Sequence, residues 1–187
     1  MTSYVPTASH SATPIMKHES EFKRAIVEMF DKTHPFVYTP SDRIALGIPD
    51  ILVAGYGRSV AFELKIRHTI PFLPGEQTTV LSRMVTGGWI ANALFGDPNV
   101  PAEKQKLPVA MYAMHLFTDE LGPLARRNVY HQARLFKTAM ATNLVGVKQK
   151  IFTFWPDGRI ECAIITSTMP MTFKINPEDL EKDLMKL

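Results

Sequence analysis

The sequence predicts a mixed α/β or α+β fold. Three patterns carry that expectation. Residues 18–32, HESEFKRAIVEMFDK, place Phe22, Ile26, Met29 and Phe30 on one side of a helix. Two β-type runs, Ile48–Ala54 and Ser59–Ile66, flank Gly55-Tyr56-Gly57-Arg58, a hairpin signal. A second hairpin pattern, KIFTFWPDGRIECAII, turns at Pro156-Asp157-Gly158. The chain has 187 residues, 45% hydrophobic and 21% charged, which suits one domain with a buried core.

The remaining elements follow in order. A short extended piece is expected at Phe36–Tyr38, between two prolines. A helix is expected to start near Glu76 and run through QTTVLSRMV, with Gly87-Gly88 at or near its end. The periodicity of WIANALF fits strand or helix equally. Residues 96–108, GDPNVPAEKQKLP, read as a loop from their Gly, Pro and charge content, and 109–117, VAMYAMHLF, as a buried strand. A long helix is expected over 120–141. A short closing helix is expected from Pro177 to Leu187, with Asn176 as its N-cap.

Composition narrows the functional classes. The formal charge of +3 permits a phosphate-rich partner without demanding one. Cys162 is the only cysteine, which excludes a disulfide framework or a thiolate metal site and suits a reducing, cytoplasmic setting. The start, MTSYVPTASHSATP, is rich in Ser, Thr and Pro without an apolar core, so residues 1–15 read as a flexible tail and not as a signal peptide. No apolar run of membrane-spanning length occurs, so no membrane association is expected. The six histidines show no ligand spacing, and none is assigned to a metal.

The first hairpin holds the informative chemistry. With Tyr56-Gly57 at its tip, Val53 faces Val60, Ile51 faces Phe62, and Asp50 faces Glu63. Alternation then puts Ile51, Val53, Val60, Phe62 and Leu64 on one face, and Asp50, Leu52, Ala61, Glu63 and Lys65 on the other. Opposed residues bring their Cβ atoms to about 5 Å, a destabilising distance for two carboxylates. Solvent, a shared proton or a cation must offset that repulsion. A hard divalent ion such as Mg²⁺ is the economical answer, since one or two carboxylates plus substrate phosphate commonly hold it. Lys65 could then orient or deprotonate a water, or stabilise charge on a phosphoryl transition state. The second hairpin is an internal control: Pro156-Asp157 and Glu161 start the same pattern, but Ala163 stands where a lysine is needed.

Two further residues point the same way. Glu19 lies about 30° from the centre of the first helix's apolar face, whereas Glu21 lies about 130° away. Gln77 shares a stripe with Leu81, Met84 and Gly88, so it points at the sheet from its helix's first turn. Each has a structural alternative: an acid suiting the helix dipole, and a capping glutamine.

On these residues the chain resembles the PD-(D/E)XK nuclease superfamily. GIPDILVAG…AFELK, the preceding ESEFKRAIVEMF and the following GEQTTVLSRMVTGG carry the resemblance, over residues 18–95. It is nearest to the virus-type replication-repair nucleases and the small Holliday-junction-resolvase-like members, often phage-encoded. The resemblance implies a restriction-endonuclease-like core, in which a helix, a mixed four-stranded sheet and a second helix support a metal-dependent site that cuts DNA. Asp50 and Glu63 would bind Mg²⁺, with Mn²⁺ as a substitute, and the backbone carbonyl of Leu64 would complete the ligands. Lys65 would serve the attacking water, Glu19 would be the helix acid and Gln77 the glutamine of the second helix. Lys23 departs from the pattern, standing where a glutamine often follows the helix acid. The implied organisation is a tail over 1–15, a nuclease core over 16–117, and a helical and hairpin extension over 118–187 packed on the core.

The expected 120–141 helix gathers Arg126, Arg127, Tyr130, Arg134 and Lys137 within an arc of about 100°, a stripe that suits DNA phosphates or simply solvent. Arg43, Arg58 and Arg67 are further candidates for holding a strand near the site. A homodimer is compatible with cutting two strands. Two alternatives remain at this point: a catalytically inactive module of the same fold that binds DNA or protein, and an interaction protein whose Pro-Asp hairpin is incidental.

Overall fold

Phe22, Ala25, Ile26, Met29 and Phe30 form the buried face of the first helix, α1 (Glu19–Phe30). Strand β1 (Phe36–Tyr38) follows, and then the hairpin of β2 (Ile51–Gly55) and β3 (Arg58–Ile66). Helix α2 (Gly75–Thr86) leads to β4 (Ile90–Gly96), and α3 (Ala102–Thr118) comes next. Strands β5 (Gln149–Phe154), β6 (Ile160–Ile165) and β7 (Pro170–Ile175) complete the order. The computed structural model describes residues 15–16, 18–30, 36–40, 47–55, 57–66, 75–118, 147–165 and 170–175. Residues 1–14 of the expected 1–15 tail, the 120–141 helix and the closing helix lie outside the described residues.

All seven strands belong to one mixed sheet whose spatial order equals chain order. Neighbours pair antiparallel except β3 and β4, which run parallel. A parallel pair needs a crossover, and α2 supplies it. The α/β class expected from the sequence is therefore observed, as an open sheet with helices on both faces. Where four strands and a separate hairpin were expected, the ladder runs on: β4 pairs with β5, so the second hairpin extends the same sheet.

One core lies between the sheet and the α1–α3 pair. It joins Phe22, Ile26 and Phe30 to Ile51, Val53, Val60, Phe62 and Leu64, with Val109, Ala113 and Phe117 of α3. A smaller core under α2 contains Leu81, Val85, Ala91, Ala93, Phe95, Phe152, Phe154 and Cys162. Cys162 is fully buried there. Phe152 and Phe154 are hairpin core, and Trp155 is half-buried with the Arg159 guanidinium 5.5 Å from its ring centre.

The segment read as a loop (96–108) and a strand (109–117) is corrected: residues 102–118 form one helix. Gln105, Pro108, Val109, Ala110, Ala113, Leu116 and Phe117 are buried, a helical spacing, while Glu103 and Lys104 face solvent. Pro108 removes one backbone donor inside the helix, and that local breaker masked the period. Gln105 secures the turn into α3, since its amide donates to the carbonyls of Asp97 (2.8 Å) and Val100 (2.7 Å). Its Oε1 accepts the Asp97 N–H at 2.7 Å. The ambiguous WIANALF is strand β4, buried along its whole length, which is why it shows no alternation. Strand β2 begins at Ile51, three residues later than expected, and β7 had no counterpart in the sequence reading.

Candidate active site

The register of the first hairpin is the expected one: Ile51 pairs with Phe62, Val53 with Val60, and Gly55 with Arg58. Gly57 at the tip has φ 78°, the left-handed conformation that two-residue hairpin turns use. Phe62 and Leu64 therefore point into the α1–α3 core, and Glu63 and Lys65 point to the other face.

At that end of the hairpin the expected residues converge. Asp50, just before β2, accepts the Leu64 N–H through Oδ2 at 2.9 Å, which ties its carboxylate across to β3. Glu63 Oε1 accepts two hydrogen bonds, one from Lys65 Nζ at 2.7 Å and one from Gln77 Nε2 in the first turn of α2. Lys65 Nζ also lies 3.9 Å from Glu19 Oε2 at the start of α1. Glu63, Lys65, Glu19 and Gln77 are thus linked through one set of contacts, from β3 and two helix N-termini, and Asp50 joins them through the backbone N–H of Leu64, the residue between Glu63 and Lys65. Glu19 is about half exposed (48%), so it guards the mouth of the site rather than its buried edge. Leu64 is fully buried by its side chain, and only its backbone can serve the site.

Burial explains the electrostatics. Glu63 is 1% exposed, and desolvation first, then the nearby Asp50 and Glu19 charges, push its carboxyl up to about 7. The hydrogen bond and charge of Lys65 pull the other way but do not win. For Lys65, burial favours the neutral amine, but the Glu63 hydrogen bond and the charges of Glu63, Glu19 and Asp50 outweigh it. Lys65 is therefore held above the ordinary lysine range, as an ammonium.

Sequence reasoning noted Lys23 only as a departure, yet it belongs to the site. Its Nζ lies 3.6 Å from Asp50 Oδ1. The available signal was spacing: Lys23 is four residues after Glu19, hence one helical turn along the same face. Arg58 is not gathered in. It opens β3 at the hairpin tip, five residues from Glu63 and on the register that faces α1. Arg43, Arg67, Arg126, Arg127, Tyr130, Arg134 and Lys137 lie outside the described residues.

The donor set fits a hard divalent cation. Among the described residues no three His, Cys, Asp or Glu side chains form a ready-made cluster. Mg²⁺ needs less, since it retains waters and takes one or two carboxylates. Asp50 and Glu63 supply those, and burial together with the nearby Asp50 charge raises the Glu63 carboxyl, which a bound cation would draw back down. Gln77 Oε1 is buried without a hydrogen-bond partner beside them, an acceptor suited to a metal-bound water. Comparison with known proteins finds no matching family model, curated protein or solved structure.

Proposed function

We propose that this chain is a metal-dependent nuclease that hydrolyses DNA phosphodiester bonds, a structure-specific or phage-type endonuclease of the PD-(D/E)XK kind. The observation that carries the reading is the gathering of Asp50, Glu63 and Lys65 at one end of the hairpin, with Asp50 held on the Leu64 N–H and with Glu19 and Gln77 closing on Lys65 and Glu63. The order α1-β1-β2-β3-α2-β4, with β1 to β4 adjacent in a mixed sheet, supports it as the core such enzymes share.

Each residue has a role that its geometry suits. Asp50 and Glu63 would hold the cation, which when bound supplies Lewis-acid activation of water and neutralises phosphoryl charge. Gln77 fixes the Glu63 carboxylate, and the Leu64 N–H fixes that of Asp50. Lys65 is an ammonium, so it acts as a donor, aligning the attacking water or stabilising charge that develops on phosphate oxygens. Hydrolysis forms a bond from water oxygen to phosphorus and breaks one ester P–O bond, leaving a phosphate terminus and a hydroxyl terminus.

The test is cleavage of single-stranded, duplex, flap and four-way DNA with Mg²⁺ or Mn²⁺, with Asp50→Ala and Lys65→Ala alongside. Lys65→Ala is expected to lower turnover by at least about a hundredfold, the usual cost of losing one preorganised transition-state donor. DNA binding and thermal melting should survive in both variants. Undiminished cleavage in both removes the proposal. No cleavage of any substrate by the unsubstituted chain points instead to an inactive module of the same fold.

A further inference from the structure

The largest exposed apolar side chains include Phe36 and Tyr38, 52% and 50% exposed. They flank Val37 on β1, which packs into the α1–α3 core. Tyr38 pairs with Leu52 and Phe36 with Ala54, and Val37 pairs with the fully buried Val53. Register therefore puts both rings on the sheet face opposite that core, the face that carries Glu63 and Lys65. The rings lie against each other, with centroids 6.5 Å apart and planes inclined by 26°. Tyr38 stands one strand over and two residues along from Asp50, about 8 Å between Cα atoms from ordinary strand dimensions.

We propose that Phe36 and Tyr38 form a stacking platform for unpaired DNA bases a few nucleotides from the cut, so that the substrate class includes single-stranded or frayed DNA. The inference rests on the nuclease reading and deepens it. Exposed rings beside a polar site have two obvious occupants, a nucleobase or a second copy of the chain. Area decides between them. Two aromatic side chains each half exposed offer about 200 Å² together, against about 800 Å² per partner for a stable protein interface. A base needs only a flat π-face and tolerates any sequence. The rings also share a sheet face with Glu63 and Lys65, so a strand that reaches those residues can extend over β1.

The experiment is fluorescence anisotropy without divalent metal, using labelled oligothymidine and a blunt duplex of equal length. Tyr38→Ala and Phe36→Ala are each expected to weaken oligothymidine binding by about fivefold or more, from the ordinary worth of base–aromatic stacking. Duplex binding should change little, and Tyr38→Phe should restore single-strand affinity. Equal losses on both probes, or no loss on either, overturn the platform. So does a dimer in sedimentation that dissociates in the double variant, which would assign the rings to a contact between copies. Failure of the nuclease reading looks different. Ring-dependent oligothymidine binding in a chain that never cleaves DNA leaves the platform standing and removes the enzyme. Cleavage with no dependence on either ring does the reverse.

Discussion

Glu63 gives the sharpest prediction, because its burial can be turned into a pH dependence. Its carboxyl is held at about 7 in the folded chain against 4.5 when free. Between those values the folded state keeps a proton that the unfolded chain releases. The contribution of Glu63 to stability is therefore greatest below pH 4.5, falls as pH rises through that window, and levels off above about 7. At about 1.4 kcal/mol per pH unit, the full swing is about 3 kcal/mol as an upper bound. The assay is urea unfolding with chelator at a series of pH values, for the unsubstituted chain and for Glu63→Gln, which keeps the shape and the acceptor. The difference between the two should trace the window, with Glu63→Gln the more stable by up to about 3 kcal/mol above pH 7. Adding Mg²⁺ should stabilise the unsubstituted chain strongly at pH 8 and weakly at pH 5, since the cation needs the ionised carboxylate. Parallel curves for the two proteins across this range would refute the argument, and so would stability that rises in the unsubstituted chain alone.

Further outcomes follow from single contacts. Lys23→Gln removes the ammonium 3.6 Å from Asp50 and should tighten Mn²⁺ binding about two- to fivefold by calorimetry, since the cation no longer competes with a partly exposed ion pair. Gln77→Ala frees the Glu63 carboxylate and should lower turnover or metal affinity by about 10- to 100-fold while the melting temperature changes little. Gly96→Ala places a methyl 2.6 Å from Gln105 Oε1 and 3.2 Å from a Phe22 ring carbon, and should destabilise the fold by about 1–3 kcal/mol in urea titration.

The legible parts of the sequence were those where local pattern and tertiary context agree. The first hairpin alternates cleanly because one face packs under α1 and the other carries the polar site. Its register could therefore be read from Tyr56-Gly57 and the paired Val53 and Val60. Glu19 and Gln77 were legible from helical angle alone, because both sit in first turns aimed at the strand ends. Residues 96–117 were misread for the opposite reason. Pro98, Pro101, Pro108 and four charged residues suggested irregular chain, whereas Glu103 and Lys104 lie on an exposed helical face and Pro108 is tolerated within the helix. β4 gave no period because α2 covers one of its faces and the α1–α3 layer the other. Lys23 was visible but unweighted, since nothing local says that a helix cation will reach a residue just before β2, beyond the intervening β1.

The lone thiol gives the molecule an internal gauge. Cys162 is fully buried in the smaller core, which also holds Leu81 and Val85 of α2, the helix that carries the glutamine bonded to Glu63. A maleimide dye reaches that sulfur only when the smaller core opens locally or the whole chain unfolds. Labelling speed set against the global unfolding rate therefore reports how often the smaller core opens on its own.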